Sequence, residues 1–500
     1  NLQAQMALQG WADIQRKIGK GTGRRVPALQ AEARRLLDRA RDTVPVWIMP
    51  LSRVANSFDA TGRRFDVVIV DEASQSDVTG LLAWYLGDRI AVVGDHEQVS
   101  PLAVGQQVEV MRGLIAQHLD GIPNNVLYDG TTSVYDLARQ CFGGTIPLRE
   151  HFRCVPDIIE FSNELCYDLE IRPLRDPSAV ARPHVVEYVV EPASGAERSG
   201  KINLAEARSV VALMKAAAGM DEYAGKTMGA ITLLGDEQAG LIQDLAVRSI
   251  GAVELERRRF VAGNSAQFQG DERHVIFLSM VDTPNGGMLS LQQRPAFKQR
   301  YNVAASRAKD QLWLVHSLDP DRDLKAGDLR RTLIEYVRDP GARRRAAEVA
   351  ARRAESPFEA AVIERLVTAG YRVEPQVWVG RYRIDMVVSD GVSQVALECD
   401  GDRYHGFDQI PEDMARQAVL ERAGWRFVRI RGTRFYREPD ATMAWVFQEL
   451  GRLGVQPVGA AQEAEAASAQ AVAFRDRVIR RAWEIMRSEG WMPAPAGASR

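Results

Sequence analysis

The chain has 500 residues, enough for about two to four domains with sizeable cores. Its 64 Lys and Arg nearly balance its 66 Asp and Glu, for a formal net charge of −2, so any nucleic-acid binding must come from local patches. Four cysteines without CxxC spacing (Cys141, Cys154, Cys166 and Cys399) argue against a zinc site or disulfide framework and for reduced thiols in the cytoplasm, and no apolar run reaches membrane-spanning length.

The chain opens in helix-like sequence and reaches a Gly-rich basic stretch, "KIGKGTGRRV" at Lys17–Val26. A phosphate-binding loop needs four residues between its first Gly and a Gly-Lys pair, then Ser or Thr. Here Gly23 is followed by Arg24 and Arg25, and no apolar strand leads in, so the stretch is expected to be a basic loop between two helices. Next come the short apolar runs "VPVWIMP", "FDVVIVD" and "RIAVVGD", expected to be buried parallel strands with functional groups at their C-terminal ends. A second set contains "HVVEYVV", the helical "NLAEARSVVALMKAAA", "TMGAITLLG", "RHVIFLSMV" and "DQLWLVHS". Two successive α/β units are expected, over residues 1–142 and 143–337. Residues 338–356 are an Arg/Ala-rich helical connector, 357–453 a smaller α/β domain, and 454–500 a low-complexity linker with a terminal amphipathic helix.

The first chemistry lies in "FDVVIVDEASQSD" at Phe65–Asp77. An apolar strand running into adjacent carboxylates suits nucleotide hydrolysis, with Asp71 holding Mg²⁺ and Glu72 orienting the attacking water. "VVGDHEQVSP" places Asp95 and Gln98 after the next strand, within expected reach of the γ-phosphate or the water. Arg153 follows in "LREHFRCVP", then Gln269, Gly270 and Glu272 in "AQFQGDE", and Arg307 in "NVAASRAK".

Together and in this order these stretches resemble the motifs of superfamily 1 helicases, in the branch of the nonsense-mediated-decay helicase, over about residues 45–320. "VDEAS" resembles motif II, "GDHEQVSP" motif III, "LREHFRCVP" motif IV, "AQFQGDE" motif V and "NVAASRAK" motif VI. The resemblance implies two RecA-like domains, the first truncated, with ATP in the cleft between them and single-stranded nucleic acid across their top. It implies γ-phosphate contacts from Arg153 and Arg307 and nucleotide-to-strand coupling through Gln98. Motif I is not found in the 500 residues and is expected before residue 1, the chain being a fragment that does not hydrolyse ATP alone.

The second chemistry begins at Phe358. A helix bearing Glu359 leads to the strand "YRIDMVV", and a turn near Gly391 folds it back into "QVALECDG". That register sets Asp385 opposite the Leu397–Glu398 region, and Glu398 and Asp400, two apart, share a strand face. Clustered carboxylates call for a cation, and Mg²⁺ beside a phosphodiester is the natural guest. His405 is placed to act as base or ligand, and Asp413, Arg416, Arg429 and Arg431 follow, the arginines as phosphate holders. Over about residues 356–436 the stretch resembles the very-short-patch-repair branch of the PD-(D/E)xK nucleases. The resemblance implies Asp385 as the metal aspartate and "ECD" as the E-x-K strand, with Asp400 where Lys is common and His405 as proton acceptor.

The expectation is thus an α/β chain joining an ATP-dependent DNA helicase to a Mg²⁺-dependent endonuclease, acting in repair or defence against foreign DNA. Its partner is DNA, single-stranded or duplex, with RNA left open, and no membrane. The alternatives are an ATP-independent nuclease on a RecA-like binding scaffold, and a non-catalytic nucleic-acid-binding protein.

Overall fold

Short apolar strands with tight glycine approaches build the first sheet. In the computed structural model β1 (Phe65–Val70) and β2 (Gly87–Val92) pair in parallel, Phe65 opposite Gly87 and Val70 opposite Val92. A Cβ on Gly87 would lie 2.9 Å from Val68 Cγ2, which explains the glycine. The structure describes residues 2–19, 23–41, 44–58, 62–99, 108–128, 130, 132–180, 183–190, 198–199, 201–283, 287–340, 357–380, 382–390, 392–400, 417–457 and 462–492. They divide into two units, Asn1–Ile146 and Pro147–Arg500.

In the first unit, helices Leu2–Ile18 and Val26–Ala40 flank the basic stretch, as its spacing predicts. Residues 44–50, expected to be a strand, form none. Pro45 and Pro50 each remove a backbone donor, and Val46 and Ile48 are 67% and 93% exposed. Leu37, Phe58 and Leu86 form a small core that the buried Arg41 closes, its guanidinium 3.5 Å from the Phe65 ring centroid.

In the second unit β3 (Glu150–His151) pairs in parallel with β4 (Arg172–Pro173). There follow β5 (Val185–Val189), the two-residue strands β6 (Arg198–Ser199) and β7 (Ile202–Asn203), β8 (Met228–Thr232), β9 (Val261–Asn264), β10 (Arg273–Ser279) and β11 (Ala308–His316). Five of them make an all-parallel sheet in the order β5-β11-β10-β8-β9. All the expected runs of this unit are strands, and β9 is an additional one. Every residue of β8 is buried, as a parallel strand covered on both faces requires. Helices Leu204–Ala218 and Asp236–Ser249 pack one face, and Pro156–Cys166, Pro295–Ala305 and Leu329–Arg338 the other.

At the C-terminal ends of β10 and β11 sits the fully buried Glu206. Its carboxyl accepts from Ser279 Oγ (2.7 Å), Val281 N (2.7 Å), Asn203 Nδ2 (2.9 Å) and Ser317 Oγ (3.3 Å). Burial pushes its pKa up to about 8 against these donors.

The nuclease-like sheet is mixed: β12 (Arg372–Val379), β13 (Tyr382–Ser389), β14 (Gln394–Asp400) and β15 (Phe427–Arg431), in that order. The first two pairings are antiparallel, and β14 pairs with β15 in parallel. Helices Pro357–Thr368 and Pro439–Arg452 cover one face with Phe358, Val362, Leu366, Met443 and Val446. The other face is closed by Leu420, Ala423 and Trp425 and by Leu174, a residue from 184 positions before Phe358 in the second unit. The Leu174 backbone accepts from Trp425 Nε1 (3.1 Å), Asp176 N donates to Ala423 O (3.0 Å) and Gln394 Nε2 to Asp176 Oδ1 (2.7 Å). Gly380, at φ +63°, admits this segment, since a Cβ there would stand 2.7 Å from Leu174 Cδ2.

A last helix, Gln462–Ser488, starts twelve residues before the apolar repeat that began at Phe474, because Ala, Glu and Gln are strong helix formers. Phe474, Val478, Ala482 and Met486, four apart, bury one stripe in the core of the five-stranded sheet. Trp483 Nε1 donates to Tyr188 Oη (2.9 Å), and Lys215 pairs with Glu489 (2.7 Å). No helix among the described residues is long and apolar enough to cross a membrane.

Two outcomes test this packing. Leu174→Ala removes a fully buried side chain from the nuclease core and should cost about 2–5 kcal/mol in urea unfolding, whereas Leu174→Met should cost less than about 1.5 kcal/mol. Because Glu206 keeps its proton to about pH 8 when folded and loses it near the ordinary 4.5 when unfolded, its contribution is complete below pH 4.5 and is lost as pH rises to about 8. Glu206→Gln should flatten that part of the stability profile; identical profiles would place the carboxyl in water.

Candidate nucleotide and nuclease sites

In the first unit the acids lie where β1 and β2 end. Asp71 Oδ1 accepts from Glu72 N (2.9 Å), and Glu72 Oε2 from Gln75 Nε2 (2.9 Å). Glu72 adopts φ 50°, ψ 35°, a left-handed conformation that a long side chain takes only when its surroundings impose it. Both acids are exposed. One strand over, Asp95 accepts from Glu97 N (2.9 Å) and Gln98 Nε2 (3.0 Å), and its own N–H donates to Ser74 Oγ (3.4 Å). Gly94 lets the two loops touch: a Cβ there would fall 2.8 Å from Tyr135 and 3.0 Å from Ser74 N. The structure therefore brings Asp71, Glu72, Asp95 and Gln98 to one end of one sheet.

In the second unit Arg153 Nε meets Glu272 Oε2 at 2.6 Å, and Lys309 Nζ meets Glu272 Oε1 at 3.1 Å. Burial raises the Glu272 carboxyl, but Lys309 and Arg153 outweigh it and hold it below the usual range. Arg307 is buried, its Nε donating to Val303 O (3.1 Å) and its Nη2 to Ser306 Oγ (3.1 Å). Arg153 is 38% exposed and is the better presented of the two arginines. Gln269 and Gly270, at φ +81°, lie in the turn before β10. Sequence reasoning missed His151 and Arg175. His151 Nε2 accepts from Cys154 N (3.0 Å), and its pKa is lowered to about 4 by burial and then by Arg153 and Arg307. Arg175 donates to Arg153 O (2.9 Å), Lys309 O (2.8 Å) and Asp310 Oδ1 (2.6 Å). The only signal for either was closeness in sequence to Arg153 or to a strand end.

In the nuclease-like sheet Met386 faces Leu397, so Asp385 and Glu398 are the next residues along that pairing, in agreement with the expected hairpin. Asp385 Oδ2 accepts from Cys399 N (2.7 Å). Glu359 Oε2 accepts from Gln376 Nε2 (2.5 Å), and Gln376 sits at φ 54°. The Cys399 thiol is held high by burial and then by the charges of Asp385, Glu359, Glu398 and Asp400. The expectation of one three-acid ligand set is not met: Asp400 lies 3.3 Å from Arg429, because its neighbour strand carries arginines at this end. Among the described residues no group of three or more His, Cys, Asp or Glu is arranged to hold a metal. The remaining donors still fit Mg²⁺, which takes hard oxygens, needs only one or two carboxylates and keeps several waters. His405, Asp413 and Arg416 lie outside the described residues. Gln376 and Cys399 were missed; Cys399 was visible only as the middle of "ECD".

The arginine cluster predicts that His151 stays neutral well below pH 6.5 and titrates near pH 4 by NMR. Arg153→Ala should move that titration upward by removing one adjacent positive charge; an unchanged value would separate the ring from the arginine.

Two family models match the chain: AAA_12, an AAA domain, over residues 133–319, and REase_MTES_1575 over residues 358–450. No curated protein matches it. Solved structures that align with it include the PRRSV helicase, at 12% identity and TM-score 0.22 over 50% of this chain and 34% of that one. Arterivirus nonstructural protein 10 (helicase) in complex with DNA aligns at 16% identity and TM-score 0.24 over 52% of this chain and 41% of that one. The chain thus spans well under half the length of those helicases. Residues 133–319 are thus of the kind found in the C-terminal part of superfamily 1 helicases of the nonsense-decay-helicase-like branch, and residues 358–450 are restriction-endonuclease-like.

Proposed function

We propose that the protein is a helicase–nuclease in which a Mg²⁺-dependent DNA endonuclease is carried by an ATP-driven superfamily 1 motor. The observation that carries this reading is the adjacency of Asp385 and Glu398 across the β13–β14 pairing of a restriction-endonuclease-like segment, with Asp400 two residues on. Carboxylates collected at such a place favour a cation and a phosphodiester over any apolar ligand.

Asp385 and Glu398 are the proposed metal ligands, because they are adjacent across the β13–β14 pairing and Glu398 is almost fully buried. When bound there, Mg²⁺ supplies charge neutralisation at the scissile phosphate and lowers the pKa of a coordinated water. Glu359 is held by Gln376 at the margin of the cluster. Asp400, paired with Arg429, is assigned a positioning role, and the proposed proton acceptor is His405.

For the motor, Asp71 is the proposed Mg²⁺ ligand and Glu72 the residue that orients water, both exposed at the end of β1. Asp95 and Gln98 are assigned to sensing the nucleotide. Arg153, with Glu272 and Lys309 beside it, is the proposed γ-phosphate arginine, ahead of the buried Arg307. Gln269 and Gly270 are assigned to the nucleotide in the same cluster. Residues 1–142 are taken as part of a first RecA-like domain, 143–337 as the second, and 357–453 as the nuclease. DNA is the proposed partner because the fused segment is of restriction-endonuclease type, and the free thiols support a cytoplasmic setting.

The test is cleavage of plasmid and oligonucleotide DNA by the whole chain with Mg²⁺ or Mn²⁺ and no ATP. Asp385→Ala and Glu398→Ala should each lower cleavage at least about a hundredfold, and Asp385→Ala should keep or tighten DNA binding. Asp400→Lys should retain cutting if Asp400 only positions Arg429. Equal cleavage by wild type and Asp385→Ala would mean a contaminating nuclease, and the reading would be dropped.

A further inference from the structure

The nuclease reading leaves an electrostatic problem. Asp385 and Glu398 are adjacent across the β13–β14 pairing with Asp400 two residues on, and Arg429 pairs with Asp400. DNA carries a negative charge at each phosphate, so a bare acidic centre repels it; something beside the acids must hold the backbone.

We propose that the end of β15 and the short helix after it, Gly432–Arg437, form a rim that grips duplex DNA beside the acids, with Arg431, Arg434 and Arg437 on phosphates and Tyr436 against the sugar and base edge. This rests on the nuclease reading above. Three observations carry it.

The first is exposure without neutralisation. Arg431, Arg434, Tyr436 and Arg437 are all exposed, Tyr436 by 66%. Other arginines of this domain have carboxylate partners: Arg365 with Asp440, Arg372 with Glu374, Arg429 with Asp400 and Arg452 with Glu449. None of the ion pairs among the described residues involves Arg431, Arg434 or Arg437, so three uncompensated cations fall within seven residues.

The second is position. In the parallel register Asp400 faces Arg431, so the rim begins one strand spacing from the acids. The Tyr436 ring lies 5.6 Å from that of Phe358, on the helix that carries Glu359.

The third is side-chain chemistry. Arg434 lies 5.1 Å from the Trp445 ring centroid, a cation–π contact that holds a planar cation at the surface without cancelling its charge. Guanidinium groups bind phosphate oxygens in two-pronged fashion, and an exposed tyrosine between them offers a flat face to sugars and bases. An acidic protein partner would gain from the arginines but would meet the same carboxylates with no phosphate to bring to the metal.

The experiment uses the whole chain, a short fluorescein-labelled DNA duplex and EDTA, so that binding is read without cutting. Arg431→Ala/Arg437→Ala should weaken binding at least about tenfold and flatten the slope of log K against log salt by about 2, one for each lost phosphate contact. Arg431→Lys/Arg437→Lys should restore the slope. Arg372→Ala/Arg452→Ala, outside the rim, should change affinity less than about twofold. Melting curves verify that each variant is folded, and the lysine pair covers a failure of the alanine pair to fold. Unchanged affinity and slope in a folded alanine pair would overturn the rim even if the wild type cuts DNA. Loss of binding in that pair, with a wild type that never cuts, would sustain the rim and defeat the nuclease reading. Tighter rim-dependent binding of an RNA duplex of the same sequence would overturn DNA as its partner.

Discussion

Three consecutive residues, Leu174, Arg175 and Asp176, set the architecture of the second unit. In an extended chain alternate side chains point to opposite sides. Leu174 enters the nuclease core and Asp176 bonds to Ala423 and Gln394, while Arg175 turns to Asp310 and the carbonyls of Arg153 and Lys309. One face of the nuclease sheet is thus completed by a residue of the helicase segment. The restriction-endonuclease-like segment shares one compact unit with the segment that carries Leu174. Cutting it out would leave Trp425 and Ala423 facing water, at a cost of about 25 cal/mol for each Å² of apolar surface exposed.

The same segment passes close to the helicase arginines. Leu174 N donates to His151 O, and Arg175 caps the carbonyl of Arg153. His151 is kept neutral there by burial and by Arg153 and Arg307, so the positive charge of the cluster belongs to the arginines and Lys309. Glu272 absorbs part of that charge through Arg153 and Lys309. At the end of β14 in the nuclease-like sheet, Arg429 engages Asp400. The proposed function gives the two regions different guests, a terminal phosphate in one case and a cation beside a phosphodiester in the other.

Much of the fold was legible because local pattern and tertiary burial agree. The runs that became β5, β8, β10 and β11 are mostly apolar and buried, as strands covered on both faces are. The β13–β14 hairpin followed from the turn residues, and with it the nearness of Asp385 and Glu398. Residues 44–50 failed as a strand because hydrophobicity alone was read while Pro45 and Pro50 withdrew donors. The last helix extends into the low-complexity stretch expected to be a linker because its Ala-rich first turns carry propensity and no apolar stripe.

By itself the sequence determined the order of the chemical motifs, the α/β class and the identity of the acids and arginines, since these depend on residue type and on spacing along one chain. Tertiary structure alone decided who meets whom. It engaged Asp400 with Arg429, buried Arg307 while leaving Arg153 partly exposed, and seated Leu174 in a sheet that begins almost two hundred residues later. Such pairings depend on which strands become neighbours and on burial, and neither leaves a periodic trace in the local sequence.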